Sequence, residues 1–435
     1  MFSKKTIKDI NLDDKRVLLS VDYNVPGDSK GAVTSDLRIK ASLPTIKYLL
    51  DHKAAVTIIS HRGRPEGKVN PEFSLKAIVP ILSKLIDRPV KFVDDCISEE
   101  AQVAKQQLKP GEILLLENTR FYPGEEADDQ EFAKQLAENE DFFVQEAFGN
   151  AHRKHASTDA VTHFLPSVAG LLFENEVDTI TSVMIKPERP LMAIIGGAKI
   201  ADKIEILNKF IEIADFIAIG GAMANIFLKA EGIDIAKSMV ELDDLPLAKQ
   251  ILAKAKKRAE KGDFIFYLPQ DSVVASKIDK TAPTRIVDWS TNVVADVEAY
   301  PARPAHSSQE LRNDEMILDI GPFSGAFIAG AMQLVSTVVW NGTMGVTETP
   351  SLQGPIGPFA HGSELIIEAM LGQFGHKPFS LVGGGDTTGY LEQRKLNEAF
   401  NHVSTGGGAS LELMAGRSLP ALEALMDKKS GSTIK

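Results

Sequence analysis

Apolar, β-branched runs alternate along the chain with stretches of helical spacing. In the first half the runs predict strands over 17–25, 54–60, 90–94, 113–117 and 142–148. Ile39, Leu43, Ile46, Tyr48 and the Leu49–Leu50 pair recur at helical spacing after the first run. Phe132, Ala133, Leu136 and Ala137 do so before the last. Both sets read as core faces, and strands alternating with helices imply a parallel sheet.

In the second half, six apolar runs end in glycine: Ile195-Gly196-Gly197, Ile219-Gly220-Gly221, Ile320-Gly321, Trp340-Asn341-Gly342, Val382 to Gly385 and Thr405 to Gly408. Glycine at a strand exit lets backbone N–H groups approach a ligand closely, and the carboxyl edge of an open α/β sheet is where ligands bind. The six exits therefore predict one anion-accommodating rim, each followed by a helix. If the helix after Gly197 begins at Lys199, then Lys199 and Lys203 share a face at its N-terminus. They would oppose the macrodipole there, a conflict that a bound anion relieves.

The exits of the first half carry polar and basic groups instead: Asp22 and Asn24, His61 and Arg64, Arg120, then His152 and Arg153, with Arg38 at the start of the first helix. Parallel strands point the same way, so these cations must converge. Their mutual repulsion makes a polyanionic ligand the simplest explanation.

Between the halves, 177–183 reads as the end of a helix. Pro187 and Pro190 within 185–190 break regular structure and mark the division. The expected organisation is an N-terminal domain over 1–174, an interdomain helix and hinge over 175–190 and a C-terminal domain over 191–408. A last segment, 409–435, packs back toward the first domain, and its end, 428–435, frays.

A chain of 435 residues is too long for one ordinary core. The net charge of −11 argues against nonspecific binding to nucleic acid or anionic lipid. No apolar run is long enough to span a membrane and the start lacks a signal-peptide pattern, so the expected location is cytoplasmic. The single cysteine, Cys96, excludes an internal disulfide and reads as a small buried residue. There is no Walker A run, no G-x-G-x-x-G after a strand and no G-x-S-x-G elbow. His152 and His155 lack an evident third metal ligand. An arginine-rich surface on one domain and a glycine-rich surface with paired lysines on the other suit phosphoryl transfer between a small anion and a nucleotide.

Eight blocks carry a family resemblance: Val21-Asp22-Tyr23-Asn24-Val25-Pro26, Ser60-His61-Arg62-Gly63-Arg64-Pro65, Leu116-Glu117-Asn118-Thr119-Arg120-Phe121, Ala147-Phe148-Gly149-Asn150-Ala151-His152-Arg153, Gly196-Gly197-Ala198-Lys199, Trp340-Asn341-Gly342 with Met344-Gly345, Gly383 to Asp386, and Ser404 to Leu413. In this order, over essentially the whole chain, they resemble phosphoglycerate kinase. The resemblance implies two α/β domains, each a parallel-sheet, three-layer, Rossmann-like unit, joined by a hinge and closing over the substrates. It implies that Asp22, Asn24, Arg38, His61, Arg64, Arg120 and Arg153 hold 3-phosphoglycerate or 1,3-bisphosphoglycerate. Gly197, Lys203, Gly221, Gly321, Asn341, Glu348, Gly383, Gly385, Asp386 and Thr387 would bind ATP or ADP, with Glu348 on the ribose and Asp386 on the nucleotide's Mg²⁺. Arg38, Lys199, Gly384, Gly406 and Gly407 would surround the phosphoryl group in flight. The partners implied are these small molecules, with no nucleic acid and no membrane, and the expected state is a monomer.

Four residues depart from the family pattern. Ser20 stands in place of an arginine and, by strand alternation, shares a face with Asp22 and Asn24. Glu146 replaces an aspartate, Phe323 a lysine and Thr343 a proline, and 349–355 reads as a short insertion beside the ribose site. Ser20 and Phe323 motivate an alternative, a phosphoglycerate-kinase-like binding or regulatory protein with weak or no catalysis. A third reading is a kinase for another sugar acid.

Overall fold

The computed structural model describes residues 2–28, 31–289 and 310–428. Six parallel strands, β1 (Arg16–Ser20), β2 (Ala55–Ile59), β3 (Val90–Phe92), β4 (Ile113–Leu115), β5 (Phe142–Gln145) and β6 (Ser167–Ala169), form one sheet in the order β3-β4-β2-β1-β5-β6. Alternation along these strands feeds two separate cores. Val17, Leu19, Val56 and Ile58 meet Ile39, Ile46 and Leu49 of the helix Leu37–Asp51. Leu18, Ile59, Leu114 and Phe143 meet Phe132, Ala133 and Leu136 of the helix Gln130–Ala137 on the opposite face. Both predicted helical faces are buried in these layers.

The strands stop short of the predicted runs, and β6 was not anticipated. β1 ends at Ser20, so Asp22 and Asn24 lie in the loop beyond it. The reason is local: Ser60 Oγ accepts from Tyr23 N at 2.9 Å and Asn24 Oδ1 accepts from Gly63 N at 2.9 Å, side-chain bonds that replace the ladder. Strand alternation consequently does not place Ser20 with Asp22 and Asn24; Ser20 is buried in β1, where its carbonyl accepts from Glu146 N.

A second parallel sheet is built from β7 (Leu191–Ile195), β8 (Phe216–Ile219), β9 (Ile265–Tyr267), β13 (Thr337–Asn341), β14 (Phe379–Gly383) and β15 (His402–Val403), ordered β15-β14-β13-β7-β8-β9. Met192, Ile194, Val338, Trp340 and Val382 fill one of its cores together with Ile328 and Ile366 from covering helices. Between β9 and β13 the chain forms a small antiparallel sheet, β10 (Asp271–Ala275), β11 (Arg285–Asp288) and β12 (Met316–Ile320), in the order β11-β10-β12. Gly321 therefore leaves an antiparallel strand, and five of the six glycine exits, not all six, share the parallel rim. No helix follows Gly342 until His361–Met370; turns and irregular backbone occupy the stretch between them, including 349–355.

Residues up to Thr181 together with Gly408 onward form one compact unit, and Ser182–Gly407 form the other. The helix Leu171–Ile185 carries the chain across the first crossing, four residues before Ile185. In the first unit Lys4 Nζ donates to the carbonyls of Glu423 and Leu425 and pairs with Asp427, fastening the C-terminal segment to the N-terminus. Of the predicted fraying tail, 429–435 lie outside the described residues. No helix among the described residues is long and apolar enough to cross a membrane.

Candidate active site

The basic groups of the first unit gather beyond the carboxyl ends of β1, β2, β4 and β5, around the point where the strand order reverses, with β2 on one side of β1 and β5 on the other. Arg38 Nη1 donates to both Asp22 oxygens at 2.7 Å and to Asn24 O at 3.3 Å. Arg120 Nη1 donates to Gly63 O at 2.9 Å, next to exposed Arg64, and Arg153 Nε donates to His152 Nε2 at 3.3 Å. Burial pushes the His61 imidazole down to about 3, Asp22 opposes that shift, and Arg120, Arg38 and Arg153 add to it. His61 is thus neutral at physiological pH. Asn150 Nδ2 lies 3.1 Å from its Nδ1, so Nδ1 accepts and the proton sits on Nε2, ready to donate.

Arg120 is almost wholly buried, its Nε 3.2 Å from Glu126 Oε1, and its Nη2 finds no hydrogen-bond partner among the described residues. An orphaned guanidinium nitrogen in a group of cations is what an anion site looks like when built by side chains. Asn118 anchors the arginine from below: its Oδ1 accepts from Arg120 N at 3.0 Å and from Arg62 N at 3.2 Å. Sequence reading passed over Asn118 and Asn150. Their signal was present, since both stand in the same short blocks as Arg120 and Arg153, but an asparagine carries no charge to converge with.

In the second unit, a cavity of about 340 Å³ is lined by Gly197, Gly221, Thr343, Glu348 and Asp386, with Asp319 and Met344 at its wall. It opens beside β7 and β13, the adjacent strands at which the order of this sheet reverses. Gly342, at φ 94°, shows why glycine ends β13: a Cβ there would overlap the Gly196 carbonyl and crowd Lys203 Nζ. Lys203 Nζ donates to Gly196 O at 2.8 Å, Asn341 O at 3.1 Å and Asn341 Oδ1 at 2.6 Å. Burial holds its ammonium down to about 8, with Asp386 and Asp202 pulling the other way.

Lys199 and Lys203 do not share a helical face. The α-helix starts at Ile204 after a 3₁₀ turn over Ala201–Lys203, and the ammoniums part company. Lys199 is exposed and its Nζ lies 2.6 Å from Glu241 Oε1. Thr387 Oγ1 accepts from Gly342 N at 2.8 Å, tying the start of the helix Gly385–Gln393 to the end of β13. Gly383 closes β14, Gly384 caps that helix at φ 92°, and Gly406 N donates to Ser404 Oγ at 3.1 Å. Gly407, at φ 51°, is the last residue of the unit.

Gly321 and Phe323 lie away from this cavity. Gly321 lines a neighbouring one, and the helix N-terminus it leads into is already capped, since the Asp271 carboxylate accepts from Phe323 N at 2.9 Å and Ser324 N at 2.8 Å. Phe323 is half exposed beside Phe327. In the segment 349–355, Thr349 is buried next to exposed Glu348.

Asp386 is exposed in the first turn of its helix and faces the cavity, while the described residues hold no group of three His, Cys, Asp or Glu side chains suited to a metal ion. One carboxylate beside a phosphate site fits a Mg²⁺ that arrives on the nucleotide, which takes most of its ligands from phosphate and water.

A basic cluster shaped for a small anion and a glycine-walled cavity at a sheet's switch point, with the half-buried Lys203 behind Gly197, define a phosphotransferase of two α/β units. The chain belongs to the phosphoglycerate kinase family, whose model matches residues 7–417. It is 44% identical over 426 residues to a phosphoglycerate kinase of Moorella thermoacetica, covering 98% of this chain and 100% of that one. A phosphoglycerate kinase of Chloroflexus aggregans is 43% identical over 98% of this chain and 99% of its own. Among solved structures, that of phosphoglycerate kinase from Coxiella burnetii superposes with a TM-score of 0.79 at 35% identity, covering 97% of this chain and 98% of that chain. Phosphoglycerate kinase from Pyrococcus horikoshii OT3 does so at 0.79 and 28% identity, covering 98% of each.

Proposed function

We propose that the protein transfers a phosphoryl group reversibly between 1,3-bisphosphoglycerate and ADP, giving 3-phosphoglycerate and ATP. The observation that carries this reading is the Arg120 guanidinium, buried with a free Nη2 beside neutral His61 and three further arginines. Asp22, Asn24, Arg38, His61, Arg64, Arg120 and Arg153 hold the phosphoglycerate; Asp22 orients Arg38 through two hydrogen bonds.

In the direction of ATP consumption the attacking group is the substrate's carboxylate, already ionised at neutral pH, so the site needs no general base. Catalysis is left to alignment and to cationic stabilisation of the migrating group. We assign that stabilisation to Arg38, Lys199 and the amides of Gly384, Gly406 and Gly407. Lys203 binds the nucleotide phosphates with Asn341 and Thr387 behind it, Gly197, Gly221, Gly383 and Gly385 give close backbone approach, and Glu348 takes the ribose. Gly321 contributes only through the adjoining wall at Ile320, which lines both cavities. Asp386 would hold the Mg²⁺ carried by the nucleotide, whose charge offsets that of the phosphates. Direct in-line transfer on closure of domains 1–174 and 191–408, bending at 185–190, in a cytoplasmic monomer, completes the proposal.

A coupled assay with 3-phosphoglycerate, Mg²⁺ and either ATP or GTP tests it, and folded protein without turnover sinks it. The reading of a binding protein without catalysis loses its motive in the placement of the departures. Ser20 is buried in β1 and Phe323 lies outside the nucleotide cavity, so neither takes a cation from the groups described above.

A further inference from the structure

The helix Leu171–Ile185, which carries the chain across the division between the units, is not capped by its own sequence. Thr45 Oγ1 accepts from Leu171 N at 2.8 Å, Glu146 Oε1 from Leu172 N at 3.2 Å and Glu146 Oε2 from Phe173 N at 3.3 Å. The Thr45 hydroxyl also favours the charged form of the Glu146 carboxyl. Two side chains remote in sequence thereby satisfy the orphan amides of the first turn.

Each of the two leads back to a substrate group. Thr45 is on the helix Leu37–Asp51 that carries Arg38 in its first turn, one turn after Ser42, whose hydroxyl bonds the buried Tyr23 OH at 3.0 Å. Tyr23 stands between Asp22 and Asn24. Glu146 O accepts from Phe148 N, opening the turn that carries Asn150 to His61, and the Phe148 ring meets Phe173 edge-on at 5.7 Å. Little slack remains: a Cβ on Gly170 would overlap Glu146 Oε2. Burial pushes the Glu146 carboxyl up to about 8, against the hydrogen bonds from Thr45, Phe173 N and Leu172 N, the state of a side chain kept inside for its bonds and not for its charge.

We propose that Glu146 and Thr45 are positioning residues for the transfer, setting the start of the Leu171–Ile185 helix by the placement of the two segments that carry the phosphoglycerate-facing groups. The inference rests on the proposed reaction. Occupancy at Asp22, Arg38 and His61 shifts those segments, and the shared cap passes the shift to the helix.

The test combines kinetics with amide hydrogen exchange on the full chain. In the wild type, 3-phosphoglycerate slows exchange at Leu171–Phe173. Glu146→Gln and, independently, Thr45→Val abolish that response and lower kcat about tenfold while KM for 3-phosphoglycerate stays within about twofold, and Thr45→Ser restores both. Wild-type amides indifferent to 3-phosphoglycerate, or variants that lose the response at unchanged kcat, overturn the inference while leaving the reaction intact. A wild type that turns over no 3-phosphoglycerate with ATP overturns the reaction reading, and this inference with it. Thr45→Val keeps the test decisive if Glu146→Gln does not fold.

Discussion

Asn341 Oδ1 lies 2.6 Å from Lys203 Nζ, and the same side chain's Nδ2 is buried with no hydrogen-bond partner among the described residues. One end of the amide thus fixes the ammonium, and under the proposed nucleotide role the other end would donate to a phosphate oxygen. Asn341→Asp replaces that donor by a negative oxygen and binds the ammonium more tightly to the protein. The KM for ATP should rise about 10- to 100-fold, the loss expected for a charged hydrogen bond, with KM for 3-phosphoglycerate little changed.

Lys199 differs from Lys203 in every respect that matters for its role. It is exposed, and its ammonium is held up by the hydrogen bond and charge of Glu241. An exposed cation held by a single surface carboxylate can exchange that partner for a moving phosphoryl group. Lys199→Ala should lower kcat about 100-fold or more, with much smaller effects on either KM. Steady-state kinetics with both substrates varied decides this; a KM effect at unchanged kcat assigns Lys199 to ground-state binding instead.

His61 should stay neutral throughout the working pH range, because burial and its arginine neighbours hold it near 3. Its imidazole resonances should be flat between pH 5 and 8 by NMR. Asn150→Ala removes the donor that fixes the tautomer and should raise KM for 3-phosphoglycerate several-fold, about 1 kcal/mol of binding.

Asp319 links stability to pH. Burial pushes its carboxyl up to about 8, although Gly362 N and Ile320 N donate to it. The folded state keeps a proton that the unfolded chain releases near 4, so this group's contribution is full below that value and is lost as pH rises toward 8. Asp319→Asn should flatten the fall in unfolding temperature between pH 5 and 8, read by calorimetry at matched ionic strength.

The arginine cluster was legible because charge and strand direction together force convergence: Arg38 pairs with Asp22, and the charges of Asp22, Arg120, Arg38 and Arg153 all reach His61. The glycine rim was legible at β7, β8, β13, β14 and β15 because strands of one parallel sheet share a carboxyl edge. What misled was periodicity without context. Gly321 ends an apolar run like the others, but hydropathy does not distinguish a parallel strand from β12, whose partners run antiparallel. Lys199 and Lys203 have helical spacing, yet the turn at Ala201–Lys203 sends them apart. The strand ends at Ser20 and Gln145 were hidden because apolar residues continue into loops held by side-chain hydrogen bonds. The caps from Thr45 and Glu146 lie 126 and 26 residues from the amides they serve, a relation that local sequence cannot express.

The fastening of Lys4 to Glu423, Leu425 and Asp427 has a consequence for synthesis. When the ribosome has completed the first 181 residues, the segment that closes their unit is still unmade. Another 226 residues, 182–407, come first, roughly 10–45 s at usual elongation rates. The nascent first unit must wait that long with its N-terminal edge uncovered, a window in which chaperone capture or premature cleavage would act.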